Sequence, residues 1–257
     1  MGITDIALKL AAPLPELENY KRYLFIGPHP DDIEIGAGAT AAKLVKEGKD
    51  VCFLICTDGR FGTVNAPEGL TTEALAALRK KEALASAAML GVQDVRFLRF
   101  CDGGFYEYAS LLRAIAAEVG SFKPEVIFCP DPDVISECHI DHLNAGRAGK
   151  QLALFAPYRE IMQQFGAEPA PVQAVAMYMT AKPNRYVDTS RYLNTQLSSV
   201  FDCHVSQFPA GSGDRRAVSL YIRLRAHDFG IRRLRCTAEG FRVLGATHMH
   251  CLPEAGK

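Results

Sequence analysis

Two short runs of the chain concentrate side chains that bind metals and move protons: His29-Pro30-Asp31-Asp32 and His139-Ile140-Asp141-His142. Imidazole and carboxylate ligate zinc and related divalent ions, and they also serve as general acids and bases near neutral pH. In the first run a carboxylate three residues after the imidazole can close on one ion while its neighbour stays free, and Pro30 stiffens the turn. In the second, two histidines three apart at a helix start lie on one face. Either run alone reads equally well as helix-capping or surface residues. Two of the chain's seven histidines within one four-residue motif, and a second His/Asp motif upstream, point instead to a shared metal site.

The motifs can meet only if the strands before them end at one edge of one sheet. Apolar runs at 23–27 (YLFIG), 51–57 (VCFLICT), 95–100 and 125–129 (EVIFC) have strand length, and they alternate with helical patterns over 36–48, 73–90, 106–119 and 140–155. This alternation predicts right-handed β-α-β crossovers and a Rossmann-like α/β fold, a mostly parallel sheet with helices on both faces. Parallel strands direct their carboxyl ends to one edge, where such folds place their binding crevice. The first motif follows the first strand, and the second follows the fourth through a loop over 130–138. Beyond Pro157 the rhythm breaks: 172–179 reads as a strand, 190–201 and 215–234 as helices, and 239–244 as a short strand. With no repeat and no linker, residues 1–257 read as a single domain, 1–157 being the core that carries the motifs and 158–257 a C-terminal elaboration.

Gly36-Ala37-Gly38 partly matches the glycine fingerprint of dinucleotide-binding folds, which needs its first glycine at the strand end. The predicted strand ends at Gly27, well before these glycines, so they fall inside the helix and serve close packing against the sheet. Taking ligands from both His/Asp motifs gives two imidazoles and one carboxylate with a position left for water, the composition of a catalytic zinc site. One carboxylate and one imidazole remain. A hydrolase needs such a pair, a base for the attacking water and a donor for the developing oxyanion. The same donors accept Fe2+, Co2+ or Mn2+ as well as zinc.

Composition narrows the partners. Lys plus Arg and Asp plus Glu number 29 each, so the net charge is zero and no broad nucleic-acid footprint is expected. The eight cysteines form no C-x-x-C pair, and several lie in apolar runs, as expected of reduced, mostly buried thiols. No basic region followed by an apolar stretch opens the chain. Ile6 stands where a myristoylation signal needs Ser or Thr, and no run approaches the roughly 20 apolar residues of a membrane span. The chain reads as cytoplasmic.

These motifs resemble those of the LmbE-like family of N-acetylglucosaminyl-phosphatidylinositol de-N-acetylases and related sugar deacetylases. Its signature, a strand followed by HPDD-x-E and later H-x-D-H, is matched by His29 to Glu34 and by His139 to His142. The similarity continues at Thr57-Asp58-Gly59 with Gly62, at Arg79, Glu82 and Leu90-Gly91, and at Asp102-Gly103. It is weaker at Asp188, Ser206-Gln207 and 238–241, and it covers most of the chain. The resemblance implies a Rossmann-like, zinc-dependent hydrolase that removes the acetyl group from an N-acetylglucosamine-type sugar or glycoside. It implies His29, Asp32 and His142 as metal ligands, Asp31 as the general base and His139 as the oxyanion donor. Arg79 and Asp102 would hold sugar hydroxyls, Asp141 would orient a histidine or cap its helix, and Glu34 would be structural. A small amino-sugar substrate and a homo-oligomer, trimer or hexamer, are the implied partners. Two rivals are an amidohydrolase of the same fold acting on another N-acyl group, in a lipid or an antibiotic, and a non-catalytic sugar- or nucleotide-binding module. The second leaves Asp31 and His139 without purpose. The chain departs from shorter relatives in its long C-terminal part, where His248 and His250 carry no assigned role.

Overall fold

A computed structural model describes residues 10–250 and 252. Cys251 and residues 1–9, with which the segment read above for a leader begins, lie outside the described residues. A seven-stranded sheet runs in the order β3-β2-β1-β4-β5-β7-β6. Its strands are β1 (Arg22–Gly27), β2 (Asp50–Thr57), β3 (Asp94–Phe100), β4 (Val126–Pro130), β5 (Ala174–Tyr178), β6 (Arg185–Asp188) and β7 (Ala238–Gly245). The first five are parallel, with β1 flanked by β2 and β4. Strand β7 runs antiparallel to both β5 and β6. The four-residue β6 went unread in the sequence, because RYVD at an edge carries neither an apolar run nor a clear alternation.

Alternation along the strands builds two cores. Leu24, Ile26, Leu54 and Ile127 face one side and pack with Leu111, Ile115 and Val119 of α3 (Tyr108–Phe122) and Ala145 and Leu152 of α4 (Ile140–Phe155). Tyr23, Phe25, Phe53 and Phe128 face the other, against Ile33, Ala37 and Leu44 of α1 (Asp32–Lys46) and Ala87 and Leu90 of α2 (Thr72–Leu90). Phe25 and Phe128 stack across neighbouring strands at 4.2 Å between centroids. Helix α2 begins on the Thr71 side chain, which accepts from the Ala74 N–H, and stops at Gly91 in the left-handed region; these are ordinary start and stop signals. The chain continues through α5 (Arg159–Gln164), α6 (Leu193–Ser198), a π-helical turn (Ser199–Cys203), α7 (Gly213–Ile231) and α8 (Ala246–Met249). Among the described residues no helix is long and apolar enough to cross a membrane, and seven cysteines are free thiols. His248 has a structural place. Its Nδ1 accepts from the Gly245 N–H, and its Nε2 lies 3.0 Å from the Ala12 carbonyl.

Helix α1 starts at Asp32, earlier than the pattern predicted, and breaks at Ala37, whose φ of −153° leaves the helical range. A break orphans backbone donors on one side and acceptors on the other. Glu239 of β7 accepts from the Ala39 and Thr40 N–H groups at 3.2 and 2.7 Å, and Gln196 of α6 donates to the Glu34 and Ile35 carbonyls. Of the glycines flanking Ala37, Gly36 does the packing on the sheet expected of it, since a Cβ there would enter the ring of the buried Tyr178, whereas one on Gly38 would meet Gln196 of the helix α6.

Gly36→Ala therefore exchanges a small gain in helix propensity for overpacking against Tyr178, and we expect a net loss of about 1–3 kcal/mol in urea-induced unfolding. Glu239 adds a pH dependence. Burial pushes its carboxyl up to about 7 from an ordinary 4.5, against the pull of the Thr40 and Ala39 donors. The folded protein thus holds a proton that the unfolded chain has released. Its stabilising effect is complete below pH 4.5 and is lost as pH rises through 7. Denaturant midpoints measured across that window should fall with pH in the parent and flatten in Glu239→Gln.

Candidate metal centre and its surroundings

Strands β1 and β4 are neighbours, yet their following connections run to opposite faces of the sheet, so a crevice opens between their carboxyl ends. Both His/Asp motifs lie there. The turn after β1 is tied to β2 by Thr57, whose N–H and hydroxyl both donate to the Pro28 carbonyl, and to α2 by Arg79, which donates to the Pro30 carbonyl at 3.0 Å. Held in this way, Asp31 takes a φ of +139°, a strained value for a residue with a side chain. The His29 N–H donates to Asp32 Oδ2 at 2.8 Å, and His29 Nδ1 lies 3.0 Å from the same oxygen.

The second motif opens α4. His139 caps the helix, its Nδ1 accepting from the Asp141 N–H at 3.3 Å. If Nδ1 accepts, the neutral ring carries its proton on Nε2. The buried Asp141 carboxylate accepts from the N–H groups of Gly103 and Gly104 at 2.7 and 2.9 Å and from the Tyr106 hydroxyl at 2.8 Å, and His29 Nε2 lies 3.0 Å away. His142 points Nε2 at Asp32 Oδ2, 3.4 Å away, and Nδ1 at Glu137 Oε2, 3.1 Å away. The three imidazoles of His29, His139 and His142 gather with centroids 4.6–5.3 Å apart.

One ligand atom each from His29, Asp32 and His142 lies within 4.8 Å of the other two. Atoms sharing a tetrahedral zinc at roughly 2.0–2.1 Å sit about 3.3 Å apart, close to the 3.0 and 3.4 Å between Asp32 and the two imidazoles. A second group, His29, His139 and Asp141, also comes together. There, however, the carboxylate is already filled by Gly103, Gly104 and Tyr106, which suits it to orient His29 from behind. The electrostatics agree. Burial alone would lower His29, but the bonds to Asp141 and Asp32 carry it up to about 10. Burial would raise Asp32, but His142 and His29 hold it well below the usual carboxylate range. Asp141, despite its burial, is held to about 2 by His29, Gly103 and Tyr106. An anionic pocket whose protons sit on imidazole nitrogens is one that a divalent cation fits, displacing those protons.

Asp31 is not one of this group, and its Oδ2 pairs with Arg79 instead. Burial raises its carboxyl, Arg79 opposes the rise, and Asp32 adds to it. Arg79, expected at sugar hydroxyls, is 4 % exposed, its Nη1 on the Gly59 carbonyl and its Nη2 3.1 Å from Asp31 Oδ2. Its guanidinium is directed inward onto the Gly59 and Pro30 carbonyls, and a Cβ on Gly59 or Gly62 would collide with it. Asp102 is buried beside the crevice and accepts from the Phe61 N–H at 3.1 Å. Glu34 forms a wholly buried pair with His204, Nε2 to Oε1 at 3.3 Å, a partnership separated by 170 residues that nothing in the sequence signalled. Glu137 and Tyr106 were likewise unread, the former two residues before His139 and the latter inside a predicted helix that in fact begins at Tyr108.

Residues 24–153 match the family described as GlcNAc-PI de-N-acetylase (PIG-L). The chain is 34% identical to a diacetylchitobiose deacetylase of Thermococcus kodakarensis over 98% of this chain and 93% of the relative. It is 30% identical to a 1D-myo-inositol 2-acetamido-2-deoxy-alpha-D-glucopyranoside deacetylase of Thermomonospora curvata, over 80% of this chain and 76% of that one. Among solved structures, it superposes on the N,N'-diacetylchitobiose deacetylase of Pyrococcus horikoshii, complexed with its inhibitor MPG, with a TM-score of 0.86 at 29% identity, covering 98% of this chain and 97% of that one.

Metal analysis of purified variants checks the centre. His29→Ala and His142→Ala should lose the bound divalent ion. Asp141→Asn, which leaves the ligands in place but weakens the hold on His29, should lower metal affinity roughly 10–100-fold. Full metal content in both histidine variants would remove the site.

Proposed function

This chain belongs to the GlcNAc-PI de-N-acetylase (PIG-L) family, and we propose that it is a zinc-dependent N-deacetylase that hydrolyses the acetamide of an N-acetylglucosamine-type sugar or glycoside, releasing acetate. The observation that carries the reading is the division of labour in the crevice: His29, Asp32 and His142 converge on one point, while Asp31 and His139 stand beside it with other partners. Two imidazoles, one carboxylate and an open position support zinc in a catalytic rather than a structural role. The bound ion would supply Lewis acidity, making water a better nucleophile and the amide carbonyl a better electrophile.

The remaining steps belong to the protein. Asp31, raised by burial but tempered by Arg79, accepts the proton of the attacking water and delivers it to the departing amine nitrogen. Its elevated carboxyl suits both directions of transfer. Arg79 is a positioning residue in this reading, since it holds Asp31 Oδ2 and the backbone of Pro30 together. His139 donates through Nε2–H to the oxygen that gains charge. With Nδ1 occupied by the Asp141 N–H, the neutral ring is a sufficient donor and needs no added proton. Asp102, with acceptor positions left beyond the Phe61 N–H, takes a sugar hydroxyl.

Acetate release from a panel of N-acetylated sugars tests the activity, and two isosteric variants test the roles. Asp31→Asn should keep the metal and lower kcat by about 10²–10⁴, whereas Asp32→Asn should lose the metal. The reverse pattern would exchange the two carboxylates. His139→Ala should cost about 10²–10³ in rate, as loss of an oxyanion donor does, with metal content unchanged.

A further inference from the structure

Two aromatic side chains beside the crevice are left uncovered. Phe105 exposes 73% of its surface and Phe61 47%, and their rings meet edge to face at 5.9 Å between centroids. We infer that this pair is a stacking floor for a second pyranose ring joined to the acetamido sugar, so that Phe61 and Phe105 make this chain selective for a disaccharide over a free amino sugar. The inference rests on the deacetylase reading above.

The rings are fixed to the site by their own backbone. The Phe61 N–H donates to Asp102, and on either side of Phe105 the Gly104 N–H and the Tyr106 hydroxyl both donate to Asp141, the carboxylate that holds His29. Gly103 and Gly104 take left-handed φ values of +80° and +78°. A Cβ on Gly103 would sit 3.1 Å from the Phe105 ring and 3.9 Å from that of Phe61, and one on Gly104 would sit 2.6 Å from Ile140, the residue after His139. The loop is therefore shaped so that both rings lie over glycine, close to the metal motifs and open to solvent. A phenyl ring has an electron-rich face, and a pyranose presents a patch of weakly positive C–H groups beside its hydroxyl edge. A pair of rings set edge to face, with a carboxylate at its margin, matches both features, the Asp102 oxygens having capacity beyond one N–H donor. A free monosaccharide seated at the metal would leave the floor bare.

The test uses metal-loaded parent, Phe61→Ala, Phe105→Ala and Phe105→Tyr, with acetate release from N-acetylglucosamine and from N,N'-diacetylchitobiose. In the parent the disaccharide should have the higher kcat/KM. Each alanine variant should cut the disaccharide-to-monosaccharide ratio roughly tenfold, equivalent to about 1.4 kcal/mol, mostly through KM, and Phe105→Tyr should keep the parent ratio. An unchanged ratio in both alanine variants overturns the inference. So does a change in oligomeric state on sedimentation of either alanine variant, which would place the rings between copies of the chain. If the parent releases acetate from neither sugar, the deacetylase reading fails separately. The floor is then judged by the disaccharide Kd, which Phe105→Ala must weaken by a similar factor.

Discussion

The Asp141 carboxylate ties together three parts of the chain. It is the second residue of α4, so its place is set by that helix's packing on the sheet. Its oxygens accept from the loop after β3, through Gly103, Gly104 and Tyr106, and lie against His29 in the turn after β1. A buried carboxylate without donors would be strongly disfavoured; here the donors hold it ionised, and in return it fixes the tautomer and direction of His29. Because His29 then presents Nδ1 toward Asp32, the first motif is oriented by the second across 112 residues of sequence. Neither motif forms a metal pocket alone.

The two adjacent aspartates acquire opposite characters from small differences in surroundings. Asp32 faces two imidazoles and is held ionised. Asp31, one residue earlier, is turned by its strained φ into a pocket where burial and the charge of Asp32 favour its proton while Arg79 opposes it. Side chains on successive residues of a turn can diverge in this way only if the backbone is clamped, and Thr57 and Arg79 clamp it from two other elements. Arg79 thus holds this turn from its buried side.

The broken helix α1 shows a similar economy. Its first turn carries Asp32 and Glu34, whereas its later turns pack on the sheet, and the break at Ala37 lets the two parts point differently. Such a break is stable only because Glu239 and Gln196, both from the C-terminal part of the chain, take up the backbone groups that it frees. The residues beyond Pro157 therefore belong to the support of the site, together with the buried His204–Glu34 pair.

Much of this was legible in the chain by itself. The strands YLFIG, VCFLICT and EVIFC, the long helix over 73–90 with its glycine stop, and the two His/Asp motifs all depend on near neighbours, since burial on both faces demands continuous apolar runs and a glycine stop acts locally. The parallel alternation also implied that both motifs reach one edge. Other features depended on residues remote in sequence and were decided only by the tertiary structure. These are the edge strand β6, the break in α1, the inward direction of Arg79, the choice of His29 as the histidine that Asp141 holds, and the meeting of Phe61 with Phe105. Each is a contact whose partners lie in separate elements, and a side chain's direction there is set by the space and donors that those other elements leave. Spacing along the chain records which groups are available, and only packing decides which of them face one another.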